Sequence, residues 1–393
     1  MNARPARGGR RRARHVPTSV WLPLAIFAST QAFDFVVLLV ASKDHPGGYI
    51  AAITNWDGDW YERIAVAGYQ LPSGGRTNPV DFLAWAFLPI FPMTVRGFMW
   101  LTGMGFGASA CVINLSAGAA ALVVLYKLLE GPGGRFLAAS GVALTCTFIT
   151  APLLQAAYSE ASALLLVCCA LLMIRSRRYG WALAATVLLS LTRLITPPLT
   201  IVVAVHFVHR LRRRREDPLS TAESTWHVAL GLASIGGVWL WSGFVELIFG
   251  PGTGASARSN SLADHPILGW FSGLHDLLGW PGTAFLVIIS ITLILCSVST
   301  RVTGTWGLEV RTWLCSYPIF ILAVTPVTTG VLRYLLLAFP LPLLVVAGLP
   351  PRGSSWARTC ILLTVCAMGL VLQVWWINHS LVVDSTSGHG FMP

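Results

Sequence analysis

Long apolar runs constrain this chain more than any motif does. A helix that crosses a bilayer needs about 20 predominantly apolar residues. Runs that reach or approach that length occur at about Val20–Ala41, Ala108–Leu129, Phe136–Pro152, Ala161–Ile174, Trp226–Phe249, Gly282–Thr300, Trp313–Thr329, Leu332–Leu349 and Thr359–Ile377. The short alternating segments of a membrane barrel are missing. Only 11% of residues are charged, against roughly 25% in a soluble domain, and mean hydropathy is +0.68. The chain therefore reads as an all-α polytopic membrane protein with about nine to eleven spanning helices, forming a single domain over residues 1–393.

Two apolar stretches are interrupted. Ala84–Leu101 contains Pro89, Pro92 and Arg96, and Pro removes helical hydrogen bonds, so it reads as a re-entrant or interfacial piece. Gly180–Val208 is broken at Thr192-Arg193 and Pro197-Pro198. A residue before Pro avoids the helical region, so two short helices with Arg193 near the tip of a hairpin are expected.

This topology also sorts the charges. The net charge of +11 does not point to nucleic acid, because the basic residues cluster in short loops, as the positive-inside rule expects. Of the 27 basic residues, 20 fall on the cytoplasmic side, leaving Lys43, Arg63, Arg76, Arg96, Arg193, Arg258 and Arg333 elsewhere. Residues 1–17 form a basic cytoplasmic tail leading into an uncleaved first span, with Asp34 about halfway through it. Residues 42–107 form a first outer loop and 250–281 a second, which carries Arg258, Asp264, His265, His275 and Asp276. The eight cysteines lie in apolar runs without a metal-type CxxC pair, which suits packing residues. His206 and His209 sit near the cytoplasmic face and read as interfacial.

The first outer loop concentrates chemistry. Asn55 to Tyr69 reads N-W-D-G-D-W-Y-E-R-I-A-V-A-G-Y, with Asp57, Asp59 and Glu62 interleaved with Trp56, Trp60 and Tyr61. Asp81 follows in the same loop. Glu160 heads a later span, and Arg193 and Arg333 flank spans on the same outer face. Acids opposite arginines at a bilayer surface suit sugar transfer from a lipid phosphate. A carboxylate takes the acceptor proton as general base, and arginines hold the phosphate and the charge growing on it. Each residue also has a plainer reading. Asp57 or Asp59 can solvate a loop, Glu160 can favour a helix N-terminus, and the arginines can snorkel to headgroups. Within the pair, Asp57 is preferred to Asp59. Trp56 and Trp60 are candidates for stacking on a sugar, whereas the other tryptophans read as belt residues. Asp57-Gly58-Asp59 is formally a DxD, a pattern that holds a divalent metal beside nucleotide donors, but a monophosphate donor gives little need for one, so neither metal nor cofactor is favoured.

Trp56-Asp57, Ile64-Ala65, Gly68-Tyr69, Ala86-Phe87, Pro89 and Pro92 carry a resemblance to the PIG-V family, the glycosylphosphatidylinositol mannosyltransferase II-like proteins. That family is marked by W-D, then I-A-x-x-G-Y, then A-F-F-P-x-x-P; Leu88 stands where the second Phe is usual. Tyr158-Ser159-Glu160, Leu191-Thr192-Arg193 and Arg333-Tyr334 leading to Phe339-Pro340 look like its later blocks. The resemblance implies a GT-C type glycosyltransferase that uses a polyprenyl-phosphate-linked sugar, usually mannose, on the extracytoplasmic face, with inversion. It carries the catalytic position to Asp57 and adds Tyr334 to Trp56, Asp59, Trp60, Glu160, Arg193 and Arg333 as substrate-binding candidates. Size and arginine bias are similar to a bacterial member of the cytoplasmic membrane, which leaves the acceptor open among lipid-linked, glycan and protein classes. Two other classes stay in view. One is a transporter or lipid flippase, which would place ionisable groups at midplane between internal repeats. The other is a non-catalytic subunit of a glycosylation complex.

Overall fold

The computed structural model describes residues 17–70, 84–253, 268–325, 328, 330–347 and 355–383, and no strand occurs among them. Asp81, Arg76, Arg258, Asp264, His265, Arg352 and the arginines of the N-terminal tail lie outside the described residues. Among the described residues, five helical stretches are long and apolar enough to cross a membrane: Thr18–Ala41, Phe106–Cys146, Thr221–Phe249, Trp280–Val298 and Trp356–Leu381. The chain is thus an all-α membrane protein.

Helix α1 (Thr18–Ala41) leads to two short helices of the first loop, α2 (Gly48–Thr54) and α3 (Asp57–Ala67). Helix α4 (Ile90–Thr102) begins directly after Pro89 and has 13 residues, roughly 20 Å of rise and too short to span. Phe91 and Val95 face inward onto Tyr61, Ala65, Phe106 and Ala110, while Trp100 and Leu101 are exposed. That one-sided burial suits a helix lying at the interface.

Helix α5 (Phe106–Cys146) is nominally 41 residues long but has two limbs, broken by Pro132 and by Gly134 with φ of 75°. Only glycine adopts that φ without strain. The second limb folds back on the first, bringing Gly141 against the Leu129 side chain. Helix α6 (Glu160–Arg175), α7 (Tyr179–Ser190) and α8 (Pro197–Arg212) follow. Helices α7 and α8 return the chain to the same end, where Tyr179 Oη lies 3.3 Å from His206 Nε2. Helix α9 (Thr221–Phe249) packs on both.

Helices α10 (Leu268–Leu278) and α11 (Trp280–Val298) precede α12 (Leu308–Val324), which packs against α8. The continuous span expected at Leu332–Leu349 is not formed. Two five-residue helices, α13 (Val331–Leu335) and α14 (Leu343–Ala347), stand there instead. Pro340 and Pro342 between them remove donors and fix φ, so the helix cannot continue. Helix α15 (Ser355–Trp376) ends in a π turn, Ile377–Leu381.

Between α5 and α6 the chain is buried from Thr147 to Ser159, apart from partly covered Phe148 and Ile149, and is irregular except for one 3-10 turn, Ala151–Leu154. Non-helical backbone at membrane depth persists only where protein groups satisfy it. Here amides reach in from neighbouring helices. Gln373 Nε2 donates to Cys146 O and Phe148 O, each at 2.9 Å, and Asn114 Nδ2 donates to Ala156 O and, at 2.8 Å, to Tyr158 O. This braced segment delivers Tyr158, Ser159 and Glu160 to one end of the helical bundle.

Candidate functional site

Asp57 opens α3 because the residue before it cannot be helical. Trp56 has φ of 60° and ψ of −114°, a region non-glycine residues rarely occupy, at a cost of about 1–3 kcal/mol. Neighbours on two sides hold it there. Asn55 Nδ2 donates to Val383 O at 2.7 Å, and Trp56 Nε1 donates to Ser380 O at 3.0 Å. From the braced segment, Tyr158 Oη donates to Asn55 O at 3.0 Å and Ala157 N to Ile53 O at 2.8 Å. The loop is fastened again at its far end. Tyr69, Trp85 and Trp241 form an aromatic cluster, with Tyr69 Oη donating to Phe87 O and Trp241 Nε1 to Trp85 O, both at 2.7 Å.

Asp57, Glu160, Arg193, Arg333 and Tyr334, separated by up to 277 positions in sequence, converge. Arg333 Nη1 lies 2.5 Å from Asp57 Oδ2, and its Nε lies 3.9 Å from Glu160 Oε1. Arg193 Nη1 lies 2.9 Å from Glu160 Oε1 and donates to Ser159 Oγ at 3.1 Å. Both guanidinium groups sit near the Tyr334 ring, at 4.9 Å and 5.1 Å from its centroid. Glu160 is fully buried in the first turn of α6, and neither of its oxygens receives a hydrogen bond of good geometry. Its contacts with the arginines are therefore charge pairing alone. A buried carboxylate whose acceptor oxygens are unmatched is costly, so this cluster is strongly charged and loosely bonded.

A cavity of about 470 Å³ opens on this cluster. Its polar end carries Asp57, Ser159, Thr192, Arg193, Arg333 and Tyr334, and its walls include Val238, Trp239, Phe320 and Val324. Tyr61, Tyr317 and Trp239 also line it and were not picked out from the sequence as site residues. Tyr61 was open to discovery, because it lies one helical turn after Asp57 and so shares its face.

The remaining candidates stand apart. Asp59 is exposed and does not line the cavity. Partial desolvation by the surrounding chain nevertheless raises its carboxyl above the ordinary carboxylate range, while Arg63 opposes the shift. Residues two apart on a helix do not face one another, so Asp57 and Asp59 do not aim at a common point. No group of three or more His, Cys, Asp or Glu able to hold a metal occurs among the described residues. Trp60 stacks on Phe87 at 5.9 Å, carries Arg63 over its ring and does not line the cavity. The Trp56 indole packs beside Leu38, Ile53 and Trp376, again outside the cavity lining. Asp34 is buried in α1 and accepts from Gln31 Nε2 at 3.0 Å, well away from this cluster in its contacts.

Site and helices together define an all-α membrane protein with an acid–arginine cavity at one end. No protein-family model and no curated protein matches the chain. Among solved structures it is similar to an Archaeoglobus fulgidus oligosaccharyltransferase tethered by a disulfide bond to an acceptor peptide containing the NVT sequon. The identity is 12% and the TM-score 0.46, over 92% of this chain and 56% of that one. The chain thus spans a little over half the length of that neighbour.

Proposed function

We propose that this protein is a membrane glycosyltransferase of the GT-C type, similar to the PIG-V family, which moves a mannosyl residue from a polyprenyl-phosphate donor to an acceptor hydroxyl. One observation carries the reading: Asp57 and Arg333 meet at 2.5 Å, with Glu160 and Arg193 beside them, at the polar end of a cavity with apolar walls. A lipid phosphate sugar has that same division into an anionic head and an apolar tail. The quoted W-D, I-A-x-x-G-Y and A-F-L-P blocks support the same class.

In the proposed step the donor phosphate takes up hydrogen bonds from Arg193 and Arg333, competing with the carboxylates for them. Asp57, released from Arg333, accepts the proton of the acceptor hydroxyl as general base. The acceptor oxygen forms its bond to the anomeric carbon as the bond from that carbon to the phosphate oxygen breaks. Polyprenyl phosphate leaves with the electron pair, its growing charge stabilised by the two guanidinium groups. A single displacement inverts the anomeric centre, and no metal is required. The site would face the extracytoplasmic side, with the arginine-rich loops facing the cytoplasm.

The test supplies purified protein with polyprenyl-phosphate-mannose labelled in the sugar, together with membrane lipid extracts, glycans and peptides as acceptors. A labelled product that disappears in Asp57→Asn is expected. Product formation that survives Asp57→Asn removes the assignment of the base. Uptake of the donor into vesicles without a glycosyl product replaces the enzyme by a transporter.

A further inference from the structure

A second cavity lies at the other end of α7, the helix that runs from Tyr179 toward Arg193. It is a wide-open depression of about 560 Å³ whose lining includes Arg177, Arg178, Tyr179, Trp181, Glu223 and Trp226. Twelve residues of α7, roughly 18 Å of helix rise, separate it from the site described above.

Its charge is only partly compensated. Asp217 is engaged by Arg177 at 2.5 Å and by Arg210 at 2.8 Å. Those hydrogen bonds, Arg177's first, hold the Asp217 carboxyl below its ordinary range. Glu223, the acid in the cavity lining, is engaged by Arg210 Nε at 2.8 Å and by Tyr179 Oη at 2.7 Å. Both acids are thus committed to other partners, while Arg178 is exposed and makes no described ion pair. The cavity rim is aromatic and open: Trp181 is 71% exposed and Trp226 40% exposed. A Cβ at Gly180 would lie 3.7 Å from the Trp226 ring, so the α9 indole sits over the first turn of α7.

An uncompensated guanidinium beside two exposed indoles is the composition of the membrane–water boundary. Tryptophan settles at headgroup depth, and basic pockets between membrane helices take anionic headgroups. We infer that this cavity is a binding site for the phosphate headgroup of one anionic phospholipid, with Arg178 as the phosphate contact and Trp181 and Trp226 flanking the glycerol region. The site is separate from the donor site, and its occupant is a structural lipid of the leaflet that faces the arginine-rich loops.

The experiment uses the full-length protein, released from mixed vesicles of equimolar phosphatidylglycerol and phosphatidylcholine, with retained lipid counted by native mass spectrometry. The wild type is expected to retain one phosphatidylglycerol in preference to phosphatidylcholine. Arg178→Gln, a change at an exposed side chain, is expected to lower that retention about fivefold. Arg214→Gln, at an exposed position outside the cavity lining, is expected to leave it unchanged. Equal retention of the two lipids overturns the proposal. So does an equal loss in the two variants, which would mean a diffuse basic face. Displacement of the lipid by millimolar inorganic phosphate would mean a soluble anion site and overturns the lipid as occupant. Because none of these readouts involves sugar transfer, they stand whether or not the proposed activity is found.

Discussion

The two ends of α7 and α8 each bury arginine against acid, and they do it in opposite ways. At the end that carries the arginine-rich loops, Arg210 is nearly fully buried and its donors are matched. Nε and Nη2 reach the two oxygens of Glu223 at 2.8 and 3.1 Å, and Nη1 reaches Asp217 at 2.8 Å. His206 nearby pairs with Glu309 at 2.7 Å, joining α8 to α12. At the other end, Glu160 is just as buried but receives no well-formed hydrogen bond, and Arg333 Nε has no acceptor. One cluster is a closed set of fork-shaped pairs that fixes helices to one another. The other holds its charges together beside an open cavity, with bonding capacity left for something that arrives. The presence of buried charge does not separate structure from function here; the state of its hydrogen bonds does.

That contrast breaks most sharply at Asp57. Asp57→Asn keeps the size of the side chain and removes the base, so transfer should fall by roughly 10²–10⁴ while the amount of protein in the membrane and its melting temperature hold. Initial rates with labelled donor, normalised to protein in the membrane, measure this. A variant that loses rate only in proportion to protein level would make Asp57 a fold residue, like its counterparts at the other end.

The complementary change is Arg210→Gln. It takes the fork-shaped partner from Glu223, whose side chain is mostly covered, while the more exposed Asp217 keeps Arg177, and removing one partner of a covered pair is destabilising. The expected result is a much lower melting temperature in detergent, with an unaltered KM for donor in the fraction that stays folded. A KM that changes at constant stability would connect this network to the site and erase the distinction between the ends.

Arg333→Gln should be milder for stability and selective for the donor. Loss of a charge-assisted hydrogen bond to phosphate is worth about 1.5–3 kcal/mol, seen as a rise in donor KM of roughly ten- to a hundredfold. Arg333→Lys should recover part of it, since an ammonium keeps the charge but not the planar fork. Full recovery by lysine would show that Arg333 acts as a point charge.

Several of these features could be read from the sequence and others could not, for physical reasons. Apolar runs located α1, both limbs of α5, α9, α11 and α15, because crossing a bilayer demands length and little else. Pro89 and Pro197-Pro198 marked real helix starts, whereas Pro92 is accommodated in the first turn of α4 and breaks nothing. The run at Leu332–Leu349 misled because its apolar average hides Pro340 and Pro342, and the chain breaks into α13 and α14 there. Asn114 and Gln373 brace the buried irregular segment, yet one amide in an apolar run barely moves a hydropathy average. Their partners, the carbonyls of 146, 148, 156 and 158, exist as acceptors only once that segment is known to be non-helical. The acid–arginine cluster was legible as residue types on one face. That Asp57 pairs with Arg333 while Asp59 turns away follows only from where α3 begins, which the strained Trp56 and its bonds to the C-terminal π turn decide.

Trp60 gives the smallest expected effect and the finest test of where the site ends. As a sugar-stacking residue its ring would touch substrate, and truncation would remove about 1–2 kcal/mol of binding at the face of an aromatic ring. In the structure its ring stacks on cavity-lining Phe87 without itself lining the cavity, with Arg63 on it. Trp60→Phe keeps an aromatic surface for Phe87 to rest on and should leave kcat and KM for donor and acceptor within about twofold. The same exchange at a stacking position would raise the acceptor KM while sparing stability. A rise of that kind, with the Phe87 ring still in place, would show that α3 rotates on binding substrate and that the cavity wall extends one side chain beyond its present lining.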